Sequence, residues 1–114
     1  MELEIPDIEV EGWTVVAASG EIDVATAPAL RTRLNELVEA GATHLVVDLE
    51  DVDFIDSTGL GVLVGGVRRA RGEDGDLRLV CTNSRLLKVF EATGLHEIFT
   101  IGTTVDDAVA IVAE

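Results

Sequence analysis

Eight consecutive residues, Phe54-Ile55-Asp56-Ser57-Thr58-Gly59-Leu60-Gly61, hold most of the chemical potential of this chain. Two hydroxyls follow a carboxylate, and two glycines follow the hydroxyls. A hydroxyl placed this way can cap a helix, act as a nucleophile, or accept a phosphoryl group. Capping requires only that a helix begin there. Nucleophilic attack requires a base within hydrogen-bond reach. Accepting a phosphoryl group requires exposure to a kinase, and it adds about −1.5 to −2 charges. The glycines also need a reason, since each costs about 1 kcal/mol against Ala inside a helix. Close approach by another backbone would offset that cost, and so would tight packing of the helix on a sheet. An ordinary N-cap at Ser57 with packing glycines is thus one reading, and a modification site is the other.

Catalytic readings lack their partners. His44 and His96 both read as strand starts, at the opposite end of a sheet from Ser57. A six-residue strand spans about 20 Å, so neither serves as a base, and the G-x-S-x-G elbow is missing. A phosphate-binding loop needs G-x-x-x-x-G-K-[ST], whereas Lys88, the one lysine, falls in a later helix. Asp48 as a phospho-acceptor would want further carboxylates and a positioned lysine at the same edge. His and Cys residues show no metal-ligand spacing. We therefore expect no catalysis, no cofactor and no metal.

The elements that must carry this segment follow from periodicity. Leu3, Ile5, Ile8 and Val10 make a strand over 3–10, with Pro6 confining it to an edge. Trp13 to Ala18 forms a second strand after a turn at Glu11-Gly12, completing a hairpin. Gly20-Glu21-Ile22-Asp23 leads into a helix capped by Thr26, with Pro28 in its first turn and a stripe of Leu30, Leu34, Leu37 and Val38. Gly41 ends it. Leu45 to Leu49 reads as a central strand, Glu50–Asp56 as a loop, and a helix begins near Ser57 with Leu60, Leu63, Val64 and Val67 inward. Leu77 to Thr82 is a strand, Asn83 to Thr93 a helix using Leu86, Leu87 and Phe90, and Ile98 to Ile101 a last strand. Thr104 caps a final helix with Asp106 and Asp107 in its first turn and Val105, Ala108, Val109 and Val112 on one face. Strands alternating with helices imply βαβ units, and the opening hairpin makes the sheet mixed. The expectation is an α/β fold: one domain over 1–114, with a mixed, mostly parallel sheet of about five strands and four helices.

Composition narrows the partners. The 114 residues carry 22 acidic and 8 basic side chains, a formal charge of −14. Nucleic acids bind through neutralisation of phosphates by Lys and Arg, so neither nucleic acid nor an anionic membrane is an expected partner. Most of the basic residues crowd one stretch (Arg68, Arg69, Arg71, Arg78, Arg85 and Lys88), and a solvated helix face accounts for them. The single cysteine, Cys81, reads as a small core thiol and fits a reducing compartment. The N-terminus has no apolar signal region, and the longest apolar stretch, 59–67, is too short for a bilayer. A cytoplasmic protein is expected.

Three blocks then acquire meaning together: Gly20-Glu21-Ile22-Asp23, Leu45-Val46-Val47-Asp48-Leu49 and Asp56-Ser57-Thr58-Gly59-Leu60-Gly61-Val62-Leu63. With the tail segment Thr93-Gly94-Leu95 they resemble the STAS-domain anti-sigma-factor antagonists, most of all the stand-alone actinobacterial regulators of the BldG kind. The likeness runs nearly end to end. It implies that Ser57, directly after the motif's aspartate, is phosphorylated by an anti-sigma factor that is a serine kinase. It also implies that a separate serine phosphatase reverses the step; Thr58 stands where some relatives have Ser. Asp23 resembles the family's acidic kinase contact, though it also reads as a turn residue capping the next helix. Small and apolar groups on the helix after Ser57 (Leu60, Gly61, Val64 and Gly65) would let a partner pack there, with Gly61 and Gly65 at least partly outward, and the expected partner surface comprises Asp23, Asp56, Thr58, Gly59, Leu60, Gly61 and Val64. The alternative within the family is a transporter's accessory subunit or a nucleotide-sensing module. Ser57 speaks against the first, and the lack of a phosphate cradle beyond a helix N-terminus speaks against the second.

Overall fold

The structure is a computed structural model that describes residues 5–111; Leu3 and Val112, placed above in a strand and a helix, lie outside them. Five strands form one sheet in chain order: β1 (Asp7–Val10), β2 (Trp13–Ile22), β3 (His44–Ile55), β4 (Asp76–Val80) and β5 (Ile101–Gly102). β1 is an antiparallel edge, paired with β2 through a two-residue turn whose Glu11 and Gly12 both have positive φ, 50° and 84°. That turn matches strand twist and sets the hairpin register. The remaining pairs are parallel. The helices are α1 (Ala27–Glu39), α2 (Ser57–Gly72), α3 (Ser84–Ala92) and α4 (Val105–Ala110). The expected α/β fold is therefore observed, with the parallel portion running from β2 to β5.

Alternation along the strands divides the core in two. Val16, Ala18, Ile22, Leu45, Val47, Leu49 and Leu79 face α1, α2 and α3 in one continuous cluster with Leu30, Leu34, Leu63, Val67, Leu86 and Phe90. On the other face Val15, Val46 and Val80 meet Ala108 of α4. A six-residue helix is too short to hold itself together in water, and α4 is held by packing, by its Thr104 cap and by a cation. The Arg78 guanidinium is buried at 5% exposure, lies 4.4 Å over the Trp13 ring and donates to the Ala108 carbonyl at 2.7 Å.

Several boundaries differ from expectation. β2 continues to Ile22, and β3 continues through the expected 50–56 loop to Ile55. Glu50, Asp51 and Asp53 disfavour a regular half-buried strand, but two irregularities solve the problem. Pairing moves from Ala17↔Asp48 to Ser19↔Asp51, and from Gly20↔Val52 to Glu21↔Phe54, one extra β3 residue each time. These bulges turn Val52 and Ile55 inward and leave Glu50, Asp51, Asp53 and Phe54 exposed. Near the C-terminus, Leu95–Glu97 is a 3-10 turn, not a strand start, so His96 does not begin a strand. Phe99 is buried and packs edge-on against Phe90 at 6.0 Å, which leaves only Ile101 and Gly102 to pair with β4. Of the basic residues expected on a solvated face, Arg78 is instead buried, and Arg71 pairs with Asp76 at 2.9 Å.

Candidate functional site

Two parallel strands, β2 and β3, end side by side with Ile22 opposite Ile55. Each isoleucine is followed by an aspartate and then by a helix. The C-terminal edge of parallel strands is where α/β sheets gather their sites. Here the edge consists of the β2–α1 corner, residues 23–26, and the β3–α2 corner at Asp56-Ser57.

At the β3–α2 corner Asp56, not Ser57, is the N-cap. Its backbone is extended (φ −102°, ψ −177°) and its Oδ1 accepts the Gly59 N–H at 3.0 Å. The carboxylate takes the cap because an aspartate in this position satisfies a helix-start donor and favours the positive end of the dipole. Ser57 thereby becomes the first helical residue, exposed and uncommitted to the cap. Asp56 Oδ2 also accepts the Val24 N–H at 3.1 Å, and the Asp56 N–H donates to the Ile22 carbonyl at 3.1 Å. One residue thus starts α2 and ties it to the neighbouring corner.

The β2–α1 corner is closed on itself. Asp23 Oδ1 accepts the Ala25 and Thr26 N–H groups at 3.0 and 3.1 Å. Thr26 Oγ1 donates to the Glu21 carbonyl at 2.7 Å and accepts the Asp23 N–H at 2.9 Å, so Thr26 occupies the cap position without capping α1 through its side chain. The turn reading of Asp23 accounts for its Oδ1. Between Asp23 and Ala25, Val24 stands 71% exposed.

The partner-surface residues divide by burial. Ser57 and Gly61 are exposed, and Asp23, Asp56, Thr58 and Val64 are half-buried. Gly59 and Leu60 are buried and support the corner from beneath, with Leu60 only 8% exposed in the main core. The Gly59 requirement comes from within the chain. A Cβ there would lie 2.6 Å from Ile22 Cγ2, 2.8 Å from Ile55 Cγ1 and 3.0 Å from the Ile22 carbonyl oxygen. Gly61 and Gly65 would meet nothing within 4 Å. They line a groove of about 120 Å³ between α1 and α2, with Arg31 and Arg69 also along it.

The remaining reactive groups lie elsewhere. His44 opens β3, the end away from Ser57, with its ring edge-on to Trp13 at 5.1 Å. The His96 Nδ1 lies 3.4 Å from the Phe90 carbonyl. Burial pushes the Cys81 thiol up, so it stays a protonated core group. Val24 was missed in the sequence. Its signal is an apolar residue directly after the aspartate, outside the inward stripe of the following helix.

The family model of the STAS domain matches residues 4–108. The anti-sigma-B factor antagonist of Bacillus subtilis (strain 168) is 45% identical over 86 residues, 75% of this chain and 78% of that protein. The anti-sigma-B factor antagonist of Staphylococcus aureus (strain NCTC 8325 / PS 47) is 33% identical over 108 residues, 93% of this chain and all of that one, 100%. The crystal structure of an anti-sigma factor antagonist from Mycobacterium paratuberculosis is similar with a TM-score of 0.85 at 33% identity, covering 94% of this chain and 91% of that one. The likeness is to a family spread over these bacteria, not to the BldG-like subgroup in particular.

Proposed function

Because this chain belongs to the STAS-domain family, we propose that it is an anti-sigma factor antagonist that works by partner switching in the cytoplasm. Unmodified, it captures an anti-sigma factor that is a serine kinase, and a sigma factor is released. Kinase and ATP convert Ser57 to phosphoserine, the complex weakens, and a serine phosphatase restores the hydroxyl. The action is binding and release, not catalysis by this chain. Among the described residues no helix is long and apolar enough to cross a membrane.

The observation that carries this reading is the division of labour at the β3–α2 corner: Asp56 takes the cap and leaves Ser57 exposed on the first turn. A phosphate there is compatible with the fold, since the first helical N–H groups and the dipole favour an anion. The same phosphate is incompatible with a close interface, because it puts a hydrated dianion beside Asp56. Gating therefore needs no refolding. The test is incubation with the cognate kinase and ATP, followed by mapping of the modified residue by mass spectrometry. One phosphate is expected, on Ser57, and Ser57→Ala should take up none. A phosphate on Thr58 overturns the assignment.

A further inference from the structure

Two glycines of α2, Gly59 and Gly66, are required by the chain's own packing: a Cβ at Gly66 would lie 2.8 Å from Leu77 Cδ1 and 3.3 Å from Leu34 Cδ1. Gly61 and Gly65 meet no such requirement, yet each weakens the helix against alanine. What they do is keep open the groove of about 120 Å³ between α1 and α2. Its floor includes the buried side chains of Leu34 and Val62, and Arg31 and Arg69 stand along it. Ser57, Gly61, Gly65 and Arg69 follow one another at intervals of four, so they make one slanted row on the surface of α2. That row runs about 18 Å at 1.5 Å per residue. We propose that the groove receives a helix of the anti-sigma factor, laid along this row with an acidic side chain between Arg31 and Arg69. This rests on the partner-switching reading and names the chemistry of the partner surface that lies beside Ser57.

Charge selects the occupant. The chain carries −14, so most of its surface repels an acidic partner. Arg33 and Arg71 already hold carboxylates, those of Asp7 and Asp76. Among the described residues Arg31 and Arg69 hold none. Arg69 donates instead to the neutral Oδ1 of Asn35 on α1, which fixes the guanidinium across the groove and leaves its charge uncompensated. Two cations above an apolar floor suit a carboxylate carried on an amphipathic helix. The glycines let that helix come close, because interaxial distance is set by the side chains at the contact. A second copy of this chain fits less well, since it would bring −14 against −14. The same arrangement sharpens the gate: a phosphate on Ser57 stands one turn from Gly61, at the head of the row, and meets an incoming acidic helix as a like charge.

The test is titration calorimetry of the full, unmodified chain against the cognate anti-sigma kinase. Arg31→Glu and Arg69→Glu should each weaken binding tenfold or more. Gly65→Leu puts a side chain into the groove and should also weaken binding tenfold or more. Its Cβ meets nothing, so thermal melting should show it at least as stable as wild type. Arg68→Glu makes the same charge change on the same helix without lining the groove, and should alter binding less than threefold. Full affinity in the groove variants, or an equal loss with Arg68→Glu, overturns the inference. So does a wild-type chain that sediments as a dimer while Arg69→Glu is monomeric, since the groove then belongs to a second copy. Groove variants that bind normally while Ser57→Glu still loses the kinase bring down the inference alone. Unmodified wild type that fails to bind the kinase brings down the proposed function as well.

Discussion

The two strand-to-helix corners at the sheet edge have the same local plan and opposite connectivity. Each places an aspartate after an isoleucine, Ile22-Asp23 and Ile55-Asp56, and the two isoleucines are register partners. Asp23 spends its Oδ1 on N–H groups two and three residues away. Asp56 caps its helix and crosses to the other corner. The side-chain bonds of Asp23 stay within the first corner, whereas those of Asp56 run both into its own helix and across to the first corner. A self-contained turn is a poor place for a switch, and a junction is a good one, since a perturbation there has somewhere to go.

The comparison can be broken most severely at Ser57. Ser57→Glu should lower affinity for the unmodified protein's partner by roughly 30-fold or more, about 2 kcal/mol, while Ser57→Ala binds constitutively; titration calorimetry against the cognate kinase reads both. Glutamate in a first helical turn favours the helix, so thermal melting should show both variants folded. Equal binding by the two would remove any special status from this corner.

Next is the contact that joins the corners from beneath. Gly59→Ala forces a Cβ against Ile22 and its carbonyl, and such overpacking costs about 1–3 kcal/mol. Thermal unfolding should show it as a midpoint lowered by roughly 5 °C or more. An unchanged midpoint would mean that the two isoleucines yield freely.

The aspartates themselves sharpen the contrast. Asp56→Ala should cost about 1–2 kcal/mol in denaturant unfolding, the range of a lost N-cap. Asp23→Asn preserves an acceptor for its local turn and should stay within about 0.5 kcal/mol of wild type, the range of ordinary surface changes. Equal losses would show that both corners are merely local. The smallest effect is at Gly61, where a Cβ meets nothing. Gly61→Ala should raise stability by about 0.5–1 kcal/mol, the helix-propensity gain alone.

Much of this was legible in the chain. The stripe Leu60, Leu63 and Val67 did face inward, and Leu45 to Leu49 did form a central strand, because their periodicity is set by burial. The hairpin was legible from Glu11-Gly12, since only a few turn types join strands so closely. What escaped was non-local. The extension of β3 through an acidic segment depends on bulges opposite β2, and local propensity says nothing of a partner strand. Whether Asp56 or Ser57 takes the cap turns on one residue of helix phase, which is finer than residue type resolves. The Asp56–Val24 bond joins positions that no short window contains. The role of Gly59 was visible as a glycine out of place, but its cause, the neighbouring Ile22, lay 37 positions upstream by the numbering.

The two bulges in β3 have a consequence for how this chain tolerates change in length. Each inserts one residue relative to β2, so the pair together conserves the side on which Ile55 emerges. A bulge is a place where a strand can lose a residue without changing the pairing beyond it. Removing a single residue between positions 49 and 54 is expected to close one bulge and leave Ile55 opposite Ile22. The serine two positions on keeps its place because the neighbouring strand, not the length of the spacer, sets the exit.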